Sequence, residues 1–371
     1  MSIIISTNST VEIVSRYIIK LNTISNRMNI YVNLLFLIFG NIGNLLKIFF
    51  FLQKPLRLCS CSVYIIAATI TYFFLLNNIP VTRFLANIQS SSNTTKSISQ
   101  INIGWYDSRI VLLHIDNIPM SIISPALYCK LRMYIQMLST NLALNFVLLA
   151  SINRYCLSSR VEKIRKYGQI YLQYRLILFT TIAWSLLSLH HFFNSNIEMI
   201  NQRSTCLPKY LKYFIILSIT YTVIMPMLMI TFGLLTLSNV RNITKNKNLL
   251  QKHCLNQRIE YQLTWMILLE ILLTVLGCLP HSLYAFYAII TRNQSKTIEQ
   301  ITFENMIDQI SRMFGYIECS FGFYIYIFSL STLRKRFINL LKTKLTCSIF
   351  TDHHHRNNIT IKYLRRTLIV R

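Results

Sequence analysis

Apolar and polar residues alternate along this chain in long blocks, not with the short periods of a surface helix or strand. Seven apolar blocks lie near 30–52, 59–85, 126–156, 173–194, 210–238, 261–290 and 305–330. Each is long enough to cross the hydrocarbon core as a helix, which takes about 17–25 residues. The pattern predicts an all-α membrane protein, a seven-transmembrane helix bundle. Residues 1–29 then form an N-terminal tail, 30–330 the spanning domain and 331–371 a second tail. The second block is the least regular. Asn77-Asn78-Ile79-Pro80 makes its end polar and predicts a kink there.

The third block carries a length scale. Cys129 stands near its start and Arg154 near its end, 25 residues apart (154 − 129). As a helix this is roughly 37 Å, close to the about 40–45 Å of a bilayer with its headgroups. The two residues are expected at opposite faces of a membrane.

Composition agrees with the blocks. The chain is 53% hydrophobic and 13% charged, where soluble domains are about 25% charged. Eight glycines, with no GxxxxGK or GxGxxG run, argue against a nucleotide cradle. The net charge of +26 would suggest nucleic acid if it formed one soluble patch. Its placement points elsewhere, and no nucleic-acid partner is expected. With the N-terminus outside, Lys54, Arg57, Arg160, Lys163, Arg165, Lys166, Arg241, Lys245, Arg334, Lys335 and Arg336 all fall on the cytosolic side. Glu12, Asp107, Asp116, Glu198, Glu299 and Glu304 fall on the other. This asymmetry orients a multi-pass chain and makes a cytosolic face that attracts anionic lipid. Residues 1–28 lack the clean apolar core of a cleavable signal, so the first span is expected to direct insertion.

Smaller signals sort by the same sides. The sequons at Asn8, Asn93 and Asn293 fall outside and are glycosylation candidates, whereas those at Asn242 and Asn358 fall inside. Of nine cysteines, Cys129 and Cys206 alone reach the outer face. Disulfides persist on the oxidising side, so a Cys129–Cys206 bridge is expected, with two unrelated free thiols as the other reading. Cys347 follows an amphipathic segment, 331–345, and is either a lipidation site or a plain thiol. His190-His191 and His353-His354-His355 are the only histidine clusters. Neither assembles the three or four converging ligands of a metal site. No metal, cofactor or enzymatic activity is expected.

In order and spacing, several landmarks resemble the rhodopsin-like G-protein-coupled receptors over about residues 30–345. They are Cys129 at the top of span three and Arg154-Tyr155 at its foot, Gly43-Asn44 in span one, Trp184 in span four, Pro226 in span five, Pro280 in span six and Tyr326 in span seven. The segment Ser329–Phe337 is similar to the family's short amphipathic eighth helix. Prolines inside spans remove a helix hydrogen bond and kink the chain, so Pro226 and Pro280 would let the cytosolic ends of spans five and six swing. Asn44 is expected to tie spans one, two and seven, or to be a simple packing polar residue. The resemblance implies a switch in which Glu260, near the start of span six, pairs with Arg154 at rest. Otherwise Arg154 snorkels to headgroups and Glu260 is a solvated loop acid. The implied partners are an extracellular ligand, a heterotrimeric G protein and arrestin, at the plasma membrane.

Departures from the family are specific. Asn153 stands where the family keeps an acid before the arginine. It is expected to hydrogen-bond the guanidinium without neutralising it, leaving Glu260 to carry more of the restraint. Gly277-Cys278-Leu279-Pro280 replaces Cys-Trp-x-Pro, and Gly322-Phe323 replaces Asn-Pro in span seven. Span two has no acid, so no conventional sodium site is expected. Glu270 and Glu318 lie within spans, where an unpaired charge is costly. They are expected to be protonated or paired inside the bundle, as structural polar groups or as functional ones. A transporter or channel using these two acids is the alternative reading.

For the ligand, span seven holds no lysine, and Gln136 stands where amine receptors keep an aspartate. The outer side offers Gln136, Arg132, Tyr287, Asp308 and Arg312, which suit a peptide-like ligand. Asp308 and Arg312, four apart, either pair with each other or bind a charged terminus.

Overall fold

The computed structural model describes residues 2–53, 56–92, 125–200, 203–208, 211–245, 254–291, 294–329, 334–335 and 337–339. Among these, seven long helices account for most of the chain. They are α1 (Ser2–Phe51), α2 (Ser60–Ser92), α3 (Pro125–Ser158), α4 (Ile170–Asn194), α5 (Leu211–Lys245), α6 (Cys254–Ile290) and α7 (Ile298–Ser329). A one-turn helix, Glu162–Lys166, lies between α3 and α4. The chain divides between Phe323 and Tyr324 into two compact units, and the first holds α1 to α6 with most of α7.

Among the described residues six helices, α1 to α6, are long and apolar enough to cross a membrane. The seventh block does form a helix, but α7 carries Glu299, Glu304, Asp308, Arg312 and Glu318 and is not one of these six. Of residues 331–345, where an eighth helix is expected, only 334–335 and 337–339 are described.

On the fourth helix burial is inverted relative to a soluble protein. On α4 the buried residues are Gln173, Ser188 and His191, while Leu178, Phe179, Ile182, Leu186 and Phe193 are exposed. Water would drive that arrangement inside out. In lipid no hydrophobic force holds helices together, so polar groups and close packing do. Buried Asn29, Asn33, Asn44, Thr69, Asn141, Ser151 and Thr274 follow that rule.

Cross-helix hydrogen bonds set the ends of the bundle. At one end Asn153 Nδ2 donates to Ser60 Oγ at 3.0 Å, Tyr64 OH donates to Gln173, and Asn239 Nδ2 donates to Ser158 Oγ at 3.3 Å. These join α2, α4 and α5 around the Arg154 end of α3. At the Cys129 end, Asn78 Nδ2 donates to the Arg132 carbonyl at 3.2 Å, Tyr134 OH to the Ser185 carbonyl at 3.3 Å, and Asn29 Nδ2 to Gln309 Oε1 at 2.9 Å. Along the chain α2, α3 and α4 therefore run in alternating directions.

Three boundaries differ from expectation. The first helix starts at Ser2, not near residue 30. Its 50 residues span roughly 75 Å, so much of the expected N-terminal tail prolongs the first span. The second helix continues past residue 85, the expected end of its block, through to Ser92. Asn77 bonds Asn41 and the Phe73 carbonyl, and Asn78 bonds α3, so the polar residues are satisfied within helix. The segment after α4 is a hairpin, β1 (Ser195–Ile200) with β2 (Arg203–Pro208), antiparallel with Ile197 opposite Cys206. Alternation there is too short to read as strands beside a span.

α1 and its neighbours approach closely. A Cβ on Gly40 would stand 2.5 Å from Leu76 Cδ1 of α2 and 3.2 Å from Ser320 Cα of α7. Likewise a Cβ on Gly277 would meet the Phe314 carbonyl at 3.0 Å, so α6 and α7 touch at backbone level there.

Candidate functional site

Four helices bring three ionisable groups, Lys47, Glu270 and Glu318, and a tyrosine, Tyr72, together deep in the bundle. Asn44 and Lys47 lie one turn apart on α1, on one face. Both are buried. Asn44 Nδ2 donates to the Cys319 carbonyl of α7 at 3.1 Å. Lys47 Nζ donates to Glu270 Oε1 of α6 at 2.8 Å, with each side chain 3% exposed. The same ammonium lies 5.7 Å from the centre of the Tyr72 ring of α2. Tyr72 OH in turn donates to Glu318 Oε1 of α7. One cation thus faces a carboxylate and an aromatic ring that is itself bonded to a second carboxylate.

Removing two ions from water costs several kcal/mol each, and only close geometry with further hydrogen bonds offsets it. The 2.8 Å contact supplies the geometry, and the Tyr72 face adds a cation–π attraction of about 0.5–2 kcal/mol. A cavity of about 10 Å³, lined by Tyr64, Ile65, Phe146, Ile267 and Glu270, adjoins the pair. That is room for about one water. Glu270 Oε2 has no protein hydrogen-bond partner.

Sequence reasoning anticipated paired acids, and Glu270 is paired. It reaches Lys47 of span one. Lys47 was missed. The available signal was a single lysine inside an apolar block, opposite in sign to acids in two other blocks.

The foot of α3 forms a second cluster. Arg154 is 3% exposed, whereas an arginine that merely snorkelled would stand out from the bundle. Tyr155 packs on Phe232 of α5 with ring centroids 5.8 Å apart. Asn153 corrects the expectation made for it. Its amide donates to Ser60, and its Oδ1 accepts no hydrogen bond, so it fastens α3 to α2 and does not serve the guanidinium. Glu260 lies on α6, with its side chain outside the described residues. Tyr326 is buried near the end of α7. Pro226 and Pro280 sit inside α5 and α6, and Trp184 is half-buried on α4.

At the Cys129 end, Asp308 and Arg312 pair with each other, Asp308 being fully buried. Tyr287 OH donates to Glu304 Oε1 at 2.8 Å, and Lys296 Nζ to Glu304 Oε2 at 2.7 Å. Arg132 is buried and Gln136 half-buried on α3. Of the proposed ligand residues, Asp308 and Arg312 are therefore engaged in an ion pair within α7, and Tyr287 in a cluster with Glu304 and Lys296. Cys129 is disulfide-bonded. Cys59, Cys61, Cys156, Cys278 and Cys319 form no disulfide, and the strand before the one bearing Cys206 packs against α3. Asn8 lies on helical backbone with its side chain outside the described residues, as Asn93, Asn293 and Cys347 are altogether. No group of three or more potential metal ligands occurs among the described residues.

No protein-family model matches the chain, and no curated protein matches it significantly. The functional reading rests on the residues themselves.

Proposed function

We propose that this protein is a divergent rhodopsin-like G-protein-coupled receptor. In this reading α7 is the seventh span, the N-terminus is extracellular, and the chain resides in the plasma membrane. An extracellular peptide-like ligand binds at the Cys129 end, among Arg132, Gln136, Tyr287, Asp308 and Arg312. The Arg154 end engages a heterotrimeric G protein, and then arrestin, when α5 and α6 swing about Pro226 and Pro280.

The observation that carries the reading is the α3 axis. A disulfide-bonded Cys129 and a buried Arg154 lie 25 residues (154 − 129) apart on one helix. A buried guanidinium at a helix end is costly unless it has a task or a partner. Expression in cells with a second-messenger reporter, challenged with a neuropeptide library, tests it. A ligand-dependent response that Arg154→Ala abolishes at equal surface expression is expected. A response unchanged by that substitution would remove the switch role.

The buried carboxylates favour one second reading, a transporter or channel conducting past Glu270 and Glu318. Ligand-independent flux, lost in Glu318→Gln, would select it.

A further inference from the structure

We propose that Lys47 is a two-position switch. It holds Glu270 in the resting bundle and transfers to Glu318 when the Cys254 half of α6 moves away. The inference rests on the receptor reading for which state signals, but the exchange of partners is a property of the bundle alone.

The two sides of the Lys47–Glu270 pair differ in freedom. Lys47 belongs to a held frame. One turn before it, Asn44 is bonded to the Cys319 carbonyl, and at Gly40 the helix has no space between α2 and α7. Glu270 belongs to a lever. It lies ten residues (280 − 270) before Pro280 in α6, roughly 15 Å from the hinge. Proline there removes a backbone bond and loosens the helix. Rotation about Pro280 displaces Glu270 from Lys47 while the α1–α7 frame stays.

A lone departure of Glu270 would leave a buried ammonium without a counter-charge, which the bundle cannot tolerate. Glu318 removes that obstacle. It belongs to α7, within the held frame, one residue before the Cys319 that Asn44 grips. Its carboxylate is already bonded to Tyr72, whose ring lies under the ammonium. Lys47 therefore has a neighbouring carboxylate in each position, and two discrete arrangements make a bistable element. The second carboxylate also has a reason to be in the core, which a single ion pair does not provide.

The test is hydrogen exchange of residues 254–270 in the full-length protein in nanodiscs, beside ligand-independent second-messenger output in cells. Glu270→Gln should raise exchange of this segment about fivefold or more, and raise basal output. Glu318→Gln removes the second position, so it should slow exchange and lower basal output. Opposite signs separate a switch from a merely structural cluster, whose members would all loosen α6. Exchange that rises in both variants, or in neither, overturns the proposal. A variant whose α3 exchange also rises has lost its fold. Glu270→Asp then replaces it, with an intermediate rise expected and no rise counting against the switch. If exchange moves in opposite directions but no variant, nor the wild type, shows output, the receptor reading fails and the switch stands.

Discussion

Lys47 Nζ lies 2.8 Å from Glu270 Oε1, and both side chains are 3% exposed. The pair joins the first and sixth long helices, 223 residues apart. Removing one partner strands a buried charge. Lys47→Met or Glu270→Met alone should each cost about 3–5 kcal/mol, whereas the double variant should recover most of that loss. Thermal unfolding of purified protein in nanodiscs measures it. Additive losses would show that the two side chains do not act on each other.

Gly40 sets how closely α1 lies against α7. A Cβ there would stand 3.2 Å from the Ser320 backbone, which cannot give way as a side-chain end can. Gly40→Val should cost about 1–3 kcal/mol through overpacking. Gly40→Ala with Leu76→Ala should cost less than the sum of its parts, because the nearest clash is with Leu76 Cδ1 at 2.5 Å. The double-mutant difference in melting temperature is the readout.

The bridge at Cys129 has a testable partner. If Cys206 closes it, Cys129→Ala and Cys206→Ala should each destabilise by about 2–4 kcal/mol, and the double variant no further. Surface expression and non-reducing gel mobility decide. Unequal single effects would point to another cysteine.

Asn153 fastens α3 to α2 through Ser60 at 3.0 Å. Ser60→Ala should therefore loosen the foot of α3 by about 1 kcal/mol, as should Asn153→Ala. The two together should cost little more than either. Local hydrogen exchange at 150–158 reports the change. A fully additive result would mean that Asn153 acts elsewhere, including on Arg154.

Helix identity was legible along most of the chain because a span must be long, apolar and helical, and each condition leaves a mark in the order of residues. Seven blocks became seven long helices. The reading failed where a local rule met a tertiary partner. The polar stretch at Asn77 and Asn78 was read as a kink near the end of the block, but bonds to Asn41 and to the Arg132 carbonyl hold both within a helix that runs on to Ser92. The hairpin Ser195–Pro208 was missed because a two-stranded ribbon of six-residue strands has too little alternation to stand out.

The sequence by itself determined the number of long helices and the membrane-crossing character of six of them, and it named the residues from which an Arg154 switch could be built. It did so because lipid imposes the same demands on every spanning segment. Only the tertiary structure decided which charges meet. Lys47, Glu270 and Glu318 lie on three helices, and the rotation of each about its axis is set by packing such as the contact at Gly40. Helical register within one segment can be counted from its sequence, but the facing of one helix toward another cannot. That facing turns three isolated intramembrane charges into one network.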